Sequence, residues 1–344
     1  MTLGETRNVI TAVATIATVV ACVWYRGFAT RRAILAQKNE RTLHEKIVPR
    51  GGGITFGLAF ALAALALGKV GVLHPLVAAG FGVGGLAATL VGFLDDTRGM
   101  RPLVKLALHA TLSAWAVLTL VARFVPPYAD IHGVAQTIGV VALALFVPVW
   151  LINLWNFIDG IDGLAIGGAT VLCGTLLVVL GMTRDPGTEV DIVWLLLGCC
   201  AAFLPFNLPP ARMFMGDAGS IFLGYSIAAL LIITVAMGTL SPLTWIAMLA
   251  YFIADTTTTS LSRMWIVRGN WFHVHRSHAY QNLARIGKSH AKVTYGILAY
   301  QLLVALPMAV WSVRAPQFAW LAATIAVTPA VLWTLRFGPP LSID

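Results

Sequence analysis

The sequence predicts an all-α, polytopic integral membrane protein with about eleven transmembrane helices. Three observations carry that expectation. Only 11% of the 344 residues are charged, against about a quarter in a soluble globular chain. Hydrophobic residues make up 58% of the sequence, and the mean hydropathy is +0.84. Apolar runs of roughly 18 or more residues recur along the whole length, each able to cross a ~30 Å hydrocarbon core as a helix. In lipid the backbone must satisfy its own hydrogen bonds, so the runs are read as helices.

Taken in order, the first run (8–26) follows Arg7 in the manner of a signal peptide. No small-residue cleavage site leads into a soluble domain, so it is expected to be a retained helix. The second run (51–68) opens on Gly51-Gly52-Gly53, and the third (73–93) delivers "GFLDDTRG". Runs at 103–123 and 134–152 follow, the latter leading into "NLWNFIDGIDGLA". Then come 163–182, 190–207 and 219–238, the last preceded by "FMGDAGS". The run 242–262 passes through "FIADTTTTS", and 292–312 and 317–335 complete the set. No internal repeat or low-complexity tract appears, so residues 1–344 are read as one integral domain. Its loops are expected at about 27–50, 94–102, 153–162, 208–218 and 263–291.

Eighteen of the twenty-three Lys and Arg fall on the side that holds those loops, and five on the other. The positive-inside rule places the eighteen in the cytoplasm, with the N-terminus outside and the C-terminus inside. This topology, together with anionic lipid, accounts for the net charge of +9. The basic residues are scattered over short loops, so no nucleic-acid partner is expected. The four cysteines (Cys22, Cys173, Cys199, Cys200) lie inside predicted spans without metal or redox spacing, and read as reduced packing residues.

The acidic residues carry the functional signal. Six of the fourteen (Asp95, Asp96, Asp159, Asp162, Asp217 and Asp255) lie at or near the cytoplasmic ends of predicted spans. Carboxylates beside hydrocarbon are costly and are usually paired, hydrated or functional. Solvated helix ends and Asp N-caps are the competing account, strongest for Asp217 ahead of Ala-Gly-Ser. Six on one face favour a hard-cation site, and Mg²⁺ fits best because it takes oxygen ligands and leaves room for phosphate oxygens. Glycines at 51–53 and 216 allow close anion approach, although a triplet opening a helix is also a packing device. Lys46, Arg50, Arg98, Lys105, Arg212, Arg276 and Arg285 could neutralise phosphate on the same face. The loop "NWFHVHRSHAYQNLARIGKSH" holds His273, His275, His278 and His290 at spacings that match no zinc pattern, so a role beside a diphosphate is the better reading. The sum is a membrane enzyme with a cytosol-facing, Mg²⁺-dependent phosphate site and a lipid substrate.

Four stretches in sequence, "VGFLDDTRGMRPLVKL", "NLWNFIDGIDGLAIG", "FNLPPARMFMGDAGSIFLGY" and the His/Arg loop, resemble the polyprenyl-phosphate N-acetylhexosamine-1-phosphate transferases over residues ~44–292. The resemblance implies transfer of a sugar 1-phosphate from a UDP-N-acetylhexosamine to polyprenyl phosphate in the membrane, with release of UMP. It implies Mg²⁺, with Mn²⁺ as a substitute, and is compatible with a homodimer. It casts Asp217 as principal metal ligand, with Asn156 and Asp159 beside it in the metal and diphosphate site. Asp95 and Asp96 become the aspartate pair near the lipid phosphate, with Asp95 a candidate base. Asp162, Asn207 and Phe214 fall where the family binds uridine, Lys46 and Lys105 near nucleotide and phosphates, and Arg276 and His278 at the diphosphate or sugar. An aspartyl-phosphate intermediate stays open.

One departure matters. Many relatives end the last motif in His-x-His-His, whereas this chain reads His278-Ala279-Tyr280-Gln281. That is similar to the branch that begins O-antigen and other surface polysaccharides with 6-deoxy-N-acetylhexosamines, and argues against the muramoyl-pentapeptide branch. Two readings from other classes remain as comparisons. A secondary transporter would place charge at the bilayer midplane and show a repeat. A CDP-alcohol phosphatidyltransferase would follow its Asp-Gly with Ala-Arg, and "LAIGGATVLCG" does not.

Overall fold

The computed structural model describes residues 2–31, 48–121, 134–183, 187–266 and 277–338. Among these residues the chain is helical throughout, without extended strands. The elements are α1 (Leu3–Arg31), α2 (Gly53–Lys69), α3 (Pro75–Arg98), α4 (Pro102–Val121), α5 (Val134–Ile158), α6 (Leu164–Leu180) and α7 (Glu189–Asn207). They continue with α8 (Gly216–Ala236), α9 (Pro242–Met248), α10 (Ala250–Ile266), α11 (Ala279–Ile286), α12 (His290–Arg314) and α13 (Pro316–Phe337).

Eight of these helices are long and apolar enough to cross a membrane. Each predicted run falls on a helix, but three depart from a simple span. The helices α2 and α6 have 17 residues each, about 25 Å at 1.5 Å per residue. The run 242–262 is divided at Leu249, where α9 ends before α10 begins. The outer helices expose large apolar side chains, among them Ile16, Val20 and Trp24 on α1, Leu118 on α4, Phe146 on α5, and Leu303 on α12. Apolar surface of that extent belongs in lipid. The protein is a multi-pass membrane protein.

The core forms around α8, which is buried along nearly its whole length and packs against α2, α3 and α5. Small residues make that possible. A Cβ on Gly53 of α2 would lie 2.1 Å from the backbone nitrogen of Gly219, and one on Gly92 of α3 would lie 2.1 Å from the carbonyl oxygen of Asp217. Three helices therefore meet main chain to main chain at the start of α8. On α1, by contrast, one face alone is buried (Ala14, Thr18, Cys22, Tyr25 and Ala29), at the spacing of a single helical stripe.

Several helices run further than the loop boundaries anticipated. The expected loop at 153–162 is helical to Ile158. Its polar residues do not break the helix because Asn153 donates to Val149 O of its own helix (2.7 Å) and Asn156 donates to Ser220 Oγ on α8 (2.9 Å). Likewise α3 continues to Arg98, so Asp95 and Asp96 occupy its last turn. The hydrophilic segment 263–291 contains the short helix α11, whose Asn282 donates to Phe337 O and Gly338 O at the end of α13.

Candidate active site

The site grows from two helix ends. Gly99 (φ +68°) terminates α3, and Asp95 Oδ1 accepts from Met100 N at 2.7 Å, closing the corner into α4. Pro102 opens α4 and carries Lys105 back to Asp95 one turn later, with Nζ 2.7 Å from Asp95 Oδ2. The same ammonium lies 2.6 Å from Asp217 Oδ2 and 3.4 Å from Asn156 Oδ1. Oxygen donors from α3, α5 and α8 thus converge on one cationic centre.

Asp96 points to the other side of the same turn. Its two oxygens accept from Asp217 N and Ala218 N, both at 3.0 Å, which satisfies the first turn of α8. Gly216 precedes that turn with φ +70°, and a Cβ there would lie 2.5 Å from Asp96 Oδ2. Arg50 Nε reaches Asp96 Oδ1 at 3.0 Å, and its Nη2 lies 3.5 Å from Asp217 Oδ1. Arg50 is held from behind by Tyr25 of α1, whose hydroxyl donates to Arg50 O. Burial opposes the Arg50 charge, but Asp96, Asp217, Asp159 and Asp95 together hold the guanidinium above its ordinary pKa.

The glycine triplet serves as a strap. Gly52 N donates to Phe214 O, Gly53 N to Met215 O, and Phe214 N to Pro49 O. These bonds tie the start of α2 to the start of α8.

A second cluster lies beyond the end of α5. Gly163 (φ +73°) opens α6, and its N–H donates to Asn207 Oδ1 at 3.1 Å, while Asn207 Nδ2 donates to Met213 O. Asp162 Oδ2 accepts from Ala211 N at 3.0 Å, and its Oδ1 lies 3.2 Å from His290 Nδ1 at the start of α12. Asp162 and Asn207 are both buried. Between the clusters stands Asp159, partly exposed, its carboxylate without a partner among the described residues. Desolvation raises its pKa well above the usual carboxylate value; the charges of Asp217, Asp96 and Asp162 add to this and Arg50 opposes it.

Farther along, Asp255 on α10 forms a buried pair with His278 (Oδ2 to Nδ1, 2.9 Å) and accepts from Ala279 N through Oδ1, capping α11. The His278 ring stacks on Tyr280 at 5.7 Å and lies 5.9 Å from Phe157. Tyr280 donates its hydroxyl to Phe157 O at 2.5 Å, so α11 is fastened to the end of α5.

The "Glycosyl transferase family 4" profile matches residues 78–235, which run from α3 through α8 and hold Asp95, Asp96, Lys105, Asn156, Asp159 and Asp217. A phospho-N-acetylmuramoyl-pentapeptide-transferase of Pelotomaculum thermopropionicum is 31% identical over 225 residues, covering 59% of this chain and 67% of that protein. The chain belongs to glycosyl transferase family 4. Other relatives of this family-4 protein align over more of its length. The decaprenyl-phosphate N-acetylglucosaminephosphotransferase of Mycolicibacterium smegmatis is 28% identical over 360 residues, covering 95% of this chain and 88% of the relative. A probable undecaprenyl-phosphate N-acetylglucosaminyl 1-phosphate transferase of Bacillus subtilis is 27% identical over 272 residues, covering 77% and 74%.

Of the residues singled out in the sequence, the family-4 structure brings Asp95, Asp96, Lys105, Asn156 and Asp217 into one network. Asp162 and Asn207 form the second cluster, the Phe214 backbone belongs to the strap between α2 and α8, and His278 belongs to a third cluster. Lys46 and Arg276 lie outside the described residues. Arg50 is more central than its place among seven basic candidates suggested, and Asp255 gains a defined partner. Ser220 carried no signal at all, because its role depends on facing Asn156 across two helices.

No group of three His, Cys, Asp or Glu converges as a closed metal site among the described residues. An open Mg²⁺ site is nonetheless consistent with the donor set, since that ion commonly takes one or two carboxylates and completes its shell with water and substrate phosphate. Asp95 and Asp217 already converge on a single cation, the Lys105 ammonium.

Proposed function

We propose that this protein transfers N-acetylhexosamine 1-phosphate from a UDP-sugar to a polyprenyl phosphate, forming a polyprenyl-diphosphate sugar and releasing UMP. The observation that carries this reading is the junction of Asp95, Asp217, Asn156 and Lys105 at the ends of membrane helices, with Arg50 alongside. Cationic groups there can receive a diphosphate, while the apolar helix faces leave a lipid acceptor in the bilayer. The names of the long-aligning relatives specify polyprenyl phosphate and N-acetylglucosamine, which makes UDP-N-acetylglucosamine the first donor to test. A 6-deoxy donor, suggested by Tyr280 and Gln281 in the last motif, is the second.

In this mechanism Asp217, with Asn156 and Asp159 near it, would hold the divalent cation. That cation, Mg²⁺ or Mn²⁺, would neutralise charge on the donor diphosphate and ease departure of UMP. Lys105 and Arg50 bind phosphate oxygens and orient the donor. Asp95 faces the acceptor phosphate as the candidate proton acceptor, though a second phosphate pKa near ~6 makes little demand on a base. Asp96 holds the α8 terminus so that Asp217 is presented at a fixed position. Asp162, Asn207 and Phe214 bind the nucleotide, with Lys46 and Arg276 as further basic contacts to the phosphates or sugar. The Lys and Arg distribution supports a cytoplasmic position for this face.

The test is incubation of purified protein with undecaprenyl phosphate and a panel of UDP-N-acetylhexosamines, with UMP release and the mass of the lipid product measured. Product that retains the donor's α-phosphate, lost on chelation with EDTA and restored by Mg²⁺, supports the reading. Full turnover in excess EDTA refutes the metal assignment, and no lipid product from any donor refutes the transfer.

A further inference from the structure

A cavity of about 500 Å³ lies among α10, α11, α12 and α13, and its lining shares no residue with the carboxylate network. Its lining includes Tyr251, Leu283, Lys292, Gly296, Tyr300 and Trp333. No residue of α3, α4, α5 or α8 contributes. The volume is that of an ordinary small-molecule pocket. From Lys292 to Tyr300 the lining follows α12 for about 12 Å at 1.5 Å per residue. Lys292, Gly296 and Trp333 are exposed, so the cavity opens on the outer surface, where bilayer lipid lies.

Two independent features bear on the chemistry of a ligand for this cavity. The first is charge. Lys292 lines the cavity, Arg285 and Lys288 are exposed on the turns just before it, and no Asp or Glu occurs between Asp255 and Asp344. An apolar slot with Lys292 on its lining and Arg285 and Lys288 nearby suits an anionic amphiphile. The second is a buried hydroxyl. Tyr300 donates its hydroxyl to Ala326 O, whereas Tyr251, only 4% exposed, has a hydroxyl with no partner among the described residues. A buried polar group left unmatched costs free energy, so a ligand that supplies an acceptor is favoured there.

We propose that this cavity is a binding site for an anionic glycerophospholipid, with one acyl chain between α12 and α13, the phosphate at Lys292, and an ester carbonyl accepting from Tyr251. The ester distinguishes this lipid from a polyprenyl phosphate, whose hydrocarbon offers Tyr251 no acceptor. The placement distinguishes it too, since a phosphate at Lys292 is not presented to Lys105. This lipid is therefore a resident of the protein and not its acceptor. The inference rests on the membrane character of the chain and does not depend on the proposed transfer.

The test uses the full chain, purified in detergent and stripped of lipid. Dioleoylphosphatidylglycerol, dioleoylphosphatidylcholine or undecaprenyl phosphate is added, and retention is read by native mass spectrometry alongside thermal unfolding. The wild type should retain phosphatidylglycerol in preference to phosphatidylcholine and unfold at a higher temperature with it. A Cβ on Gly296 meets nothing within 4 Å, so Gly296→Leu should fill the slot, abolish retention and leave the stripped protein as stable as before. Lys292→Gln should weaken retention of phosphatidylglycerol roughly fivefold, and Lys69→Gln should not. Lys292→Gln carries the test alone if Gly296→Leu fails to fold. Equal retention of the two phospholipids, unchanged retention in Lys292→Gln, or retention of undecaprenyl phosphate alone would overturn the proposal. Sugar-phosphate transfer, assayed separately in detergent, should be unaffected by either variant.

Discussion

Asp96 separates a positioning role from a reacting one. In the sequence it forms a pair with Asp95, and both are candidates for work at the acceptor phosphate. In the fold the two carboxylates part: Asp95 meets Lys105, and Asp96 accepts two N–H groups of α8 and the Arg50 side chain. The Asp96 side chain is only 4% exposed, so water does not replace what is lost. In Asp96→Asn an amide oxygen at the Oδ1 position still accepts from Asp217 N and Arg50 Nε, but the NH₂ group then faces Ala218 N–H and the guanidinium loses its counter-charge. Losing a cap costs ~0.5–2 kcal/mol, and a hydrogen bond to a charged group is worth ~1.5–3 kcal/mol. A loss of about 3 kcal/mol is expected. Chains of 150–250 residues lose roughly 2–4 °C per kcal/mol and longer ones less, so unfolding should fall by several degrees. The assay is thermal unfolding in detergent beside sugar-phosphate transfer, with Asp217→Asn as reference. Asp217→Asn should abolish turnover while the protein stays folded. If Asp96→Asn also abolishes turnover but unfolds at the wild-type temperature, the capping argument is wrong and Asp96 belongs with the reacting groups.

Three more expectations follow from the same geometry. Lys105→Gln leaves Asp95 and Asp217 without their shared cation, so transfer should fall by at least about tenfold, as expected for loss of a charge-assisted contact of ~1.5–3 kcal/mol; unchanged kinetics would dismiss the junction as the donor site. Gly53→Ala places a methyl against the α8 backbone and should lower both yield and unfolding temperature, whereas Gly174→Ala, whose Cβ meets nothing within 4 Å, should not. Asp159 has a raised pKa in the fold, so the folded state binds its proton more tightly than the unfolded state and loses stability as pH rises through that value. Asp159→Asn should therefore raise the unfolding temperature at pH 7.5, with the advantage shrinking toward pH 4; an unfolding temperature below wild type at pH 7.5 would contradict this.

The apolar runs were legible because a helix in lipid leaves one strong signature, length without charge. The break at Leu249 was not, since nothing in "TWIAMLAYFIAD" interrupts the hydrophobic pattern. The acidic motifs marked which helix ends mattered, but not how they divide the work. "NLWNFIDGIDGLA" illustrates both. Its polar residues suggested a loop over 153–162, whereas α5 ends only at Ile158 and α6 begins after Gly163. Asn156 turns to α8 and Asp162 to the 207–213 segment, as two neighbouring sites would require. That Asn153 bonds its own helix, and that Asp255 finds His278, depends on side-chain direction and on contacts across 23 residues or more, which periodicity does not encode.

The close approach of α2, α3 and α8 has a mechanical consequence. Side-chain interfaces have rotamers and can creep when the surrounding membrane thickens, thins or changes temperature. Where Gly53 meets Gly219 and Gly92 meets Asp217 O there is no side chain to rearrange. The bundle's periphery can therefore breathe with the bilayer while the interval between Asp95 and Asp217 stays constant, like the fixed jaw of a gauge mounted on a flexing frame.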